Sequence, residues 1–267
     1  LMLQPGCKLD LIAGTVSGAV SALTGAELNV LSKLAIRVLD QGTPVEGALI
    51  SVDGAVASTG TDGRLSTTAI ARKVTDSSEM VGGIKNINLQ IGSFTDFVTW
   101  DSSSSFDHTF MASRIDGGTL EQWLVLESQW SPYFLDEDLM VAQTGTLTID
   151  DGVSVRISEG HTITVDGTMN VGDATLSSTG QGARWGGMHL GELTSSSIDL
   201  SATSIFEASP ALTVSSLGRF SADGSDFARS SGADPLIMIA ASSNASVEFR
   251  DSSLYDAGSG CIKSFAT

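Results

Sequence analysis

Carboxylates crowd two short stretches of the chain, Asp136-Glu137-Asp138 and Asp150-Asp151, and the guanidinium groups of Arg156 and Arg184 follow them. Two carboxyls facing one cleft about 5–9.5 Å apart would hydrolyse a glycosidic bond by acid–base catalysis. Neighbouring residues in a strand point to opposite faces, so Asp150 and Asp151 cannot both face one groove if a strand continues through them. Both precede Gly152 and read as turn formers. Asp136 and Asp138 alternate, so their oxygens can share a side and suit a hard cation such as calcium, as does the Asp150 turn. The sequence contains neither an EF-hand loop nor a nonapeptide calcium repeat. It therefore assigns no catalytic, cofactor-binding or metal-binding residue, and calcium at these carboxylates stays an open option.

The other reactive side chains are scattered. His108, His161 and His189 lie far from any Gly-x-Ser-x-Gly elbow, and His161, in the turn Ser158-Glu159-Gly160-His161, reads as a solvated loop residue. Cys7 and Cys261 have no histidine at metal-ligand spacing. They are expected to be buried free thiols, with a single Cys7–Cys261 bridge as the alternative. The aromatic group Trp123, Trp130, Tyr133 and Phe134 would either cover the open end of a stacked structure or offer ring faces on which sugars stack. Asn244-Ala245-Ser246 forms an N-glycosylation sequon, relevant if the protein is exported.

Composition narrows the class. Asp and Glu total 31 against 14 Lys and Arg, a formal net charge of −17, which repels nucleic acid. Such an excess fits a solvated surface in salty water or one that collects divalent cations. A hydrophobic content of 41% supports a buried core, while 29 Gly and only 5 Pro favour many short strands joined by tight turns. The reading is all-β. No apolar run reaches the roughly 18 residues of a membrane helix, so direct membrane insertion of this segment is not expected. The N-terminal LMLQPGCKLDLIAG lacks the features of a signal peptide, and the C-terminal GCIKSFAT ends in what reads as strand. The chain is expected to be an excerpt of a longer protein.

The elements that would hold these residues follow from periodicity. Residues 1–33 read as short strands closing a preceding domain. From Leu34, apolar runs alternate with Gln41-Gly42, Asp53-Gly54 and Asp62-Gly63, which supply the positive φ of tight turns. Residues 34–113 are expected to form a small β-sandwich. Residues 114–134 read as a connector and aromatic cap. From 135 to 267 short apolar alternations recur: Leu147 and Ile149, then Val153 and Val155, match Ile163, Val165, Met169 and Val171 at a shift of 16. Leu212, Leu236 and Cys261 recur at shifts of 24 and 25. Between them lie comparable turns at Thr203-Ser204-Ile205, Ser225-Asp226-Phe227 and Ser252-Ser253-Leu254. Such repeats predict stacked coils, truncated at the C-terminus.

Two resemblances give these expectations names. VLDQGTPVEGALISV followed by TGTDGRLST resembles the Ig-like, carboxypeptidase-regulatory-like modules of secreted proteins, which implies a spacer or binding adaptor without catalysis. WSPYFLDEDLMVAQTGTLTIDDGVSV and ARWGGMHL (183–190) resemble right-handed parallel β-helix proteins of the pectin-lyase-like fold, and the pairing resembles large predicted cell-surface proteins of marine archaea. The expected function is a non-enzymatic scaffold or adhesin segment of a larger extracellular or cell-surface protein. Its partners would be flanking domains of the same chain and cell-surface glycans. Two alternatives stay open. One is a polysaccharide lyase or glycoside hydrolase using Asp pairs, or calcium with Arg156 or Arg184. The other is a carbohydrate-binding module using Trp123, Trp130 and Tyr133.

Overall fold

The computed structural model describes residues 2–12, 20–92, 94–180, 182–191, 193–214, 217–228, 235–241, 245–255 and 260–266. The chain is all-β and divides into two units, Leu1–Phe110 and Met111–Thr267. Among its described residues the first has twelve strands: β1 (Met2–Leu3), β2 (Lys8–Ile12), β3 (Ser21–Ala22), β4 (Glu27–Asp40), β5 (Thr43–Pro44), β6 (Leu49–Val52), β7 (Ala55–Ser58), β8 (Arg64–Thr75), β9 (Glu79–Val81), β10 (Ile84–Ile91), β11 (Phe94–Asp101) and β12 (Phe106–Met111). One sheet has the order β12-β4-β8-β9, with β2 and β5 also paired to β4. A second has the order β11-β10-β6-β7, and β1 and β3 form a small sheet of their own.

Turn chemistry sets this arrangement. Gln41 and Gly42 both have positive φ (44° and 84°), as do Asp53 and Gly54 (51° and 81°). These pairs close the β4–β5 and β6–β7 hairpins with the right-handed twist that neighbouring strands require. The turn at Asp62-Gly63 instead leads from β7 in one sheet to β8 in the other. Gly63 has φ 68°, and a Cβ there would lie 2.6 Å from the Val38 carbonyl oxygen, so only glycine fits.

The boundary drawn at residue 33 falls inside β4, a single fourteen-residue strand. Upstream of it, β2 runs parallel to the start of β4, pairing Leu9 with Leu28 and Leu11 with Val30, and β1 runs parallel to β3. The underlying repeat is legible once the register is known: Gly6-Cys7-Lys8-Leu9-Asp10-Leu11-Ile12 matches Gly25-Ala26-Glu27-Leu28-Asn29-Val30-Leu31. Part of the sequence read as short strands, residues 13–19, lies outside the described residues. Cys7 and Cys261 are free thiols and both are exposed, which corrects the expectation of burial or pairing. Each stands at a turn beside a strand rather than on an inward strand position.

The second unit is a parallel β-solenoid of the right-handed type, whose described residues form three sheets of seven, seven and six strands. Turn 1 comprises Ser113–Ile115, Gly118–Leu120 and Trp123–Leu126, and turn 2 comprises Tyr133–Leu135, Leu139–Val141 and Thr146–Ile149. Turn 3 comprises Ser154–Ile157, Thr162–Val165 and Thr168–Val171, and turn 4 Thr175–Ser178, Gly187–Leu190 and Ser197–Ser201. Turns 5 and 6 follow the same plan, ending with Arg219–Asp223 and Ser246–Arg250. Turn 7 has Ser253–Tyr255 and Ile262–Ala266. The solenoid thus begins within the segment read as a connector.

Inward residues stack on their equivalents. Leu124, Leu147, Met169, Ile198, Phe220 and Val247 form one such column in the third sheet. Each fully buried apolar side chain contributes about 1.5–3 kcal/mol. The true repeat differs from the shift of 16: Leu147 pairs with Met169 and Tyr133 with Val155, each 22 positions on. A turn holds three strands with the same in–out alternation, so sliding the sequence by two strands lays apolar on apolar without matching whole turns.

Corners are fixed by polar side chains and glycine. The three turns read as comparable do stack: Ser204 pairs with Asp226 and Asp226 with Ser253. Just before these residues, the Thr203 N–H donates to Ser225 Oγ (3.2 Å) and the Ser225 N–H to Ser252 Oγ (3.1 Å). The Trp-Gly-Gly turn has an equally local cause. Trp185 is buried and donates its Nε1–H to the Phe206 carbonyl at 3.0 Å. At Gly187, with φ 81°, a Cβ would lie only 1.8 Å from the Pro210 carbonyl oxygen.

Candidate functional site

The solenoid distributes the candidate carboxylates over different corners. Asp136, Glu137 and Asp138 connect the first sheet to the second in turn 2, whereas Asp150 and Asp151 connect the third sheet to the first strand of turn 3. Asp136 accepts hydrogen bonds from Arg114 Nη2 (2.7 Å) and Ser158 Oγ (2.8 Å). Asp138 Oδ1 accepts from the Thr162 N–H (2.8 Å) and Thr162 Oγ1 (3.3 Å), with His161 Nδ1 at 3.4 Å. The Thr162 N–H, foremost, holds the Asp138 carboxyl below its ordinary range, and His161 adds to the effect. Asp151 accepts the Asp173 N–H at 2.8 Å. These bonds tie each corner to the turn stacked beside it.

The two arginines take separate places. Arg156 lies on the outer side of the first sheet, its guanidinium 5.7 Å from the Phe134 ring centre. The Arg184 carbonyl accepts the Gly160 N–H at 2.8 Å. Of the histidines, His161 joins the Asp138 corner and His189 faces outward on the second sheet, with Nε2 3.2 Å from the Gly186 carbonyl. His108 lies in the first unit between Phe106 and Phe110. Among the described residues, no group of three or more His, Cys, Asp or Glu side chains is placed to hold a metal ion. Asn244 of the sequon lies outside the described residues.

The aromatic cluster separates by exposure. Tyr133 is an inward core residue whose hydroxyl accepts the Glu127 N–H (3.0 Å) and donates to the Glu127 carbonyl (3.1 Å). Trp130 packs half-buried against the solenoid core, and Phe134 is buried with Arg156 over its ring. Trp123 is 74% exposed. Of the four, it alone presents an open ring face.

Trp123 belongs to an ordered surface. The outward positions of the third sheet form parallel columns running along the stack. One contains Trp123, Thr146, Thr168, Ser197, Arg219 and Ser246. Beside it run Val125, Thr148, Asn170, Asp199, Ser221 and Glu248. Successive turns are about 4.8 Å apart, so hydroxyl, amide and carboxylate groups recur at that pitch. Trp123 Nε1 reaches Thr148 Oγ1 at 3.5 Å, and Arg219 Nη2 lies 3.7 Å from Asp199 Oδ1. A shallow depression of about 270 Å³ lies among Thr148, Asn170, Gly172, Asp199 and Ser201. At Gly172 a Cβ would lie 2.1 Å from the Asp151 carboxylate oxygen, so glycine is required where that corner packs.

The arrangement offers one aromatic face for stacking and a graded row of donors and acceptors, a chemistry that suits polyhydroxylated chains. Sequence reading singled out Trp123 but missed Thr148, Asn170 and Asp199. Their signal was present in Leu147-Thr148-Ile149, Met169-Asn170-Val171 and Ile198-Asp199-Leu200, a polar residue between two inward apolar ones. Only the 22-residue register between Thr148 and Asn170 brings the first two side by side.

The fold defines the chain as a parallel β-solenoid repeat protein preceded by a β unit with two main sheets. Comparison with protein-family models, curated proteins and solved structures finds no match. No helix among the described residues is long and apolar enough to cross a membrane.

Proposed function

We propose that this chain is a non-enzymatic scaffold or adhesin segment of a larger secreted or cell-surface protein, and that the outer face of its third sheet engages glycans. The first unit is read as an Ig-like spacer and the solenoid as a pectin-lyase-like β-helix that has kept the architecture without the cleavage chemistry. The observation that carries this reading is the outward column beginning at Trp123, flanked by Thr148, Asn170 and Asp199. A ring face binds the apolar side of a sugar, and the neighbouring polar groups take its hydroxyls. The acidic surface, at −17 overall, favours uncharged polysaccharides over polyanions. Flanking domains of the same chain and cell-surface glycans are the partners this reading requires.

The fold is weak support for any activity by itself. The enzymatic alternative needs two carboxyls at one cleft, or calcium with a free base, and the hydrogen bonds of Asp136, Asp138 and Asp151 to adjacent turns favour a structural role for them. Affinity electrophoresis against a panel of neutral polysaccharides tests the proposal. Retardation by at least one polymer, lost in Trp123→Ala and weakened in Asn170→Ala, is the expected result. Equal retardation of wild type and Trp123→Ala would remove the third-sheet face from the reading.

A further inference from the structure

The first unit contains a cavity of about 580 Å³ between its two main sheets, bounded by Leu34 and Ile50 and lined by β7 and β9. Those two strands are the last in the pairing order of their respective sheets. The cavity has an origin in the sequence. Ile50 is fully buried, and its partner across the β6–β7 ladder is Ala57, with Ala55 two positions away on the same side. On the facing sheet, Thr67 pairs with buried Leu34. Inward positions of a sandwich normally carry large apolar residues that meet at its centre. Here Ala55, Ala57 and Thr67 point inward but are exposed, because their side chains are too small to meet.

We propose that this cavity is a binding site for an uncharged, elongated apolar molecule, such as an alkyl chain carrying a neutral head group. Its volume lies within the roughly 300–1,000 Å³ of small-molecule pockets, and its walls are mainly Ala, Val, Leu, Ile and Met. Charge selects the class. Among the described lining residues the ionic ones are Asp53 and Lys85, and they pair with each other. An anionic ligand would have to take Lys85 from Asp53 on a chain of net charge −17, whereas a neutral head group can accept from Lys85 or from the Thr67 and Thr68 hydroxyls. Length argues against an added peptide strand: β7 has four residues and β9 three, and the space lies between the sheets rather than along their edges.

The full chain is to be titrated with N-phenyl-1-naphthylamine, a neutral apolar fluorophore. Saturable enhancement that 1-dodecanol displaces and dodecanoate displaces less well is expected. Ala57→Phe, which fills the cavity, is expected to weaken probe binding about tenfold or more. Ala55→Leu serves as the milder filling variant should Ala57→Phe fail to fold, judged by far-UV circular dichroism. The proposal is overturned by non-saturable binding, by unchanged affinity in a folded filling variant, or by displacement with an apolar strand-forming peptide but not with dodecanol.

Discussion

Replacing Phe220 with alanine should open the solenoid locally and leave its early turns intact. Phe220 is completely buried, stacked between Ile198 and Val247, with the Phe249 ring centre 5.3 Å away and that of Phe227 at 6.3 Å. Removing a buried phenylalanine costs about 3–5 kcal/mol, of which each lost ring pair accounts for about 0.5–1.5 kcal/mol. In a stacked repeat each turn touches only its neighbours, so this loss is carried by adjacent turns. Native-state hydrogen exchange read by mass spectrometry resolves the effect. Amides of 197–201, 219–223 and 246–250 should exchange about a thousandfold faster, the equivalent of about 4 kcal/mol, while 139–149 keep wild-type protection. A uniform loss from turn 2 to turn 6, or a local change below about tenfold, would refute the neighbour-only account of this core.

Two other perturbations probe separate features. Ser225→Ala removes the buried hydroxyl that accepts the Thr203 N–H and donates to the Asp223 carbonyl; a loss of about 1–3 kcal/mol in urea unfolding is expected, and a change near zero would show that the corner ladder is dispensable. Burial against Phe106 and Phe110 lowers the His108 pKa below 6.5, outweighing the opposing pull of Asp96 and Asp107. The folded state therefore binds its proton less readily than the unfolded chain. Stability is full above pH 6.5 and falls as pH drops through the folded-state value. Thermal midpoints of wild type and His108→Phe should diverge across that interval, and parallel pH profiles would exclude His108 as the cause.

Much of the architecture was written in local pattern, and what escaped depended on register. Gln41-Gly42 and Asp53-Gly54 announce their hairpins because few residue pairs accept two positive φ angles. The alternation in Leu147-Thr148-Ile149 and its equivalents marks strands with one buried face. The period was misread because three equivalent strands per turn make shifts of two strands look as good as whole turns. The parallel pairing of Leu9 with Leu28 escaped because a divergent repeat of only two copies hides among other Gly-Leu patterns. Tyr133 and Trp123 are both aromatic and ten positions apart, yet one faces the core and the other solvent; strand parity, not residue type, decides this. The cavity was hidden for a similar reason: Ala57 and Thr67 are ordinary residues until the pairing places both between the sheets.

Light scattering coupled to size-exclusion chromatography, run on the full chain incubated with the polysaccharide that retards it most, tests the scaffold reading most directly, because one trace reports both binding and chain length. The account predicts that protein and polymer co-elute, that the polymer keeps its molar mass, and that Trp123→Ala elutes separately from a polymer of the same mass. Progressive shortening of the polymer by wild type, abolished in Asp138→Asn or Arg184→Ala, would contradict it.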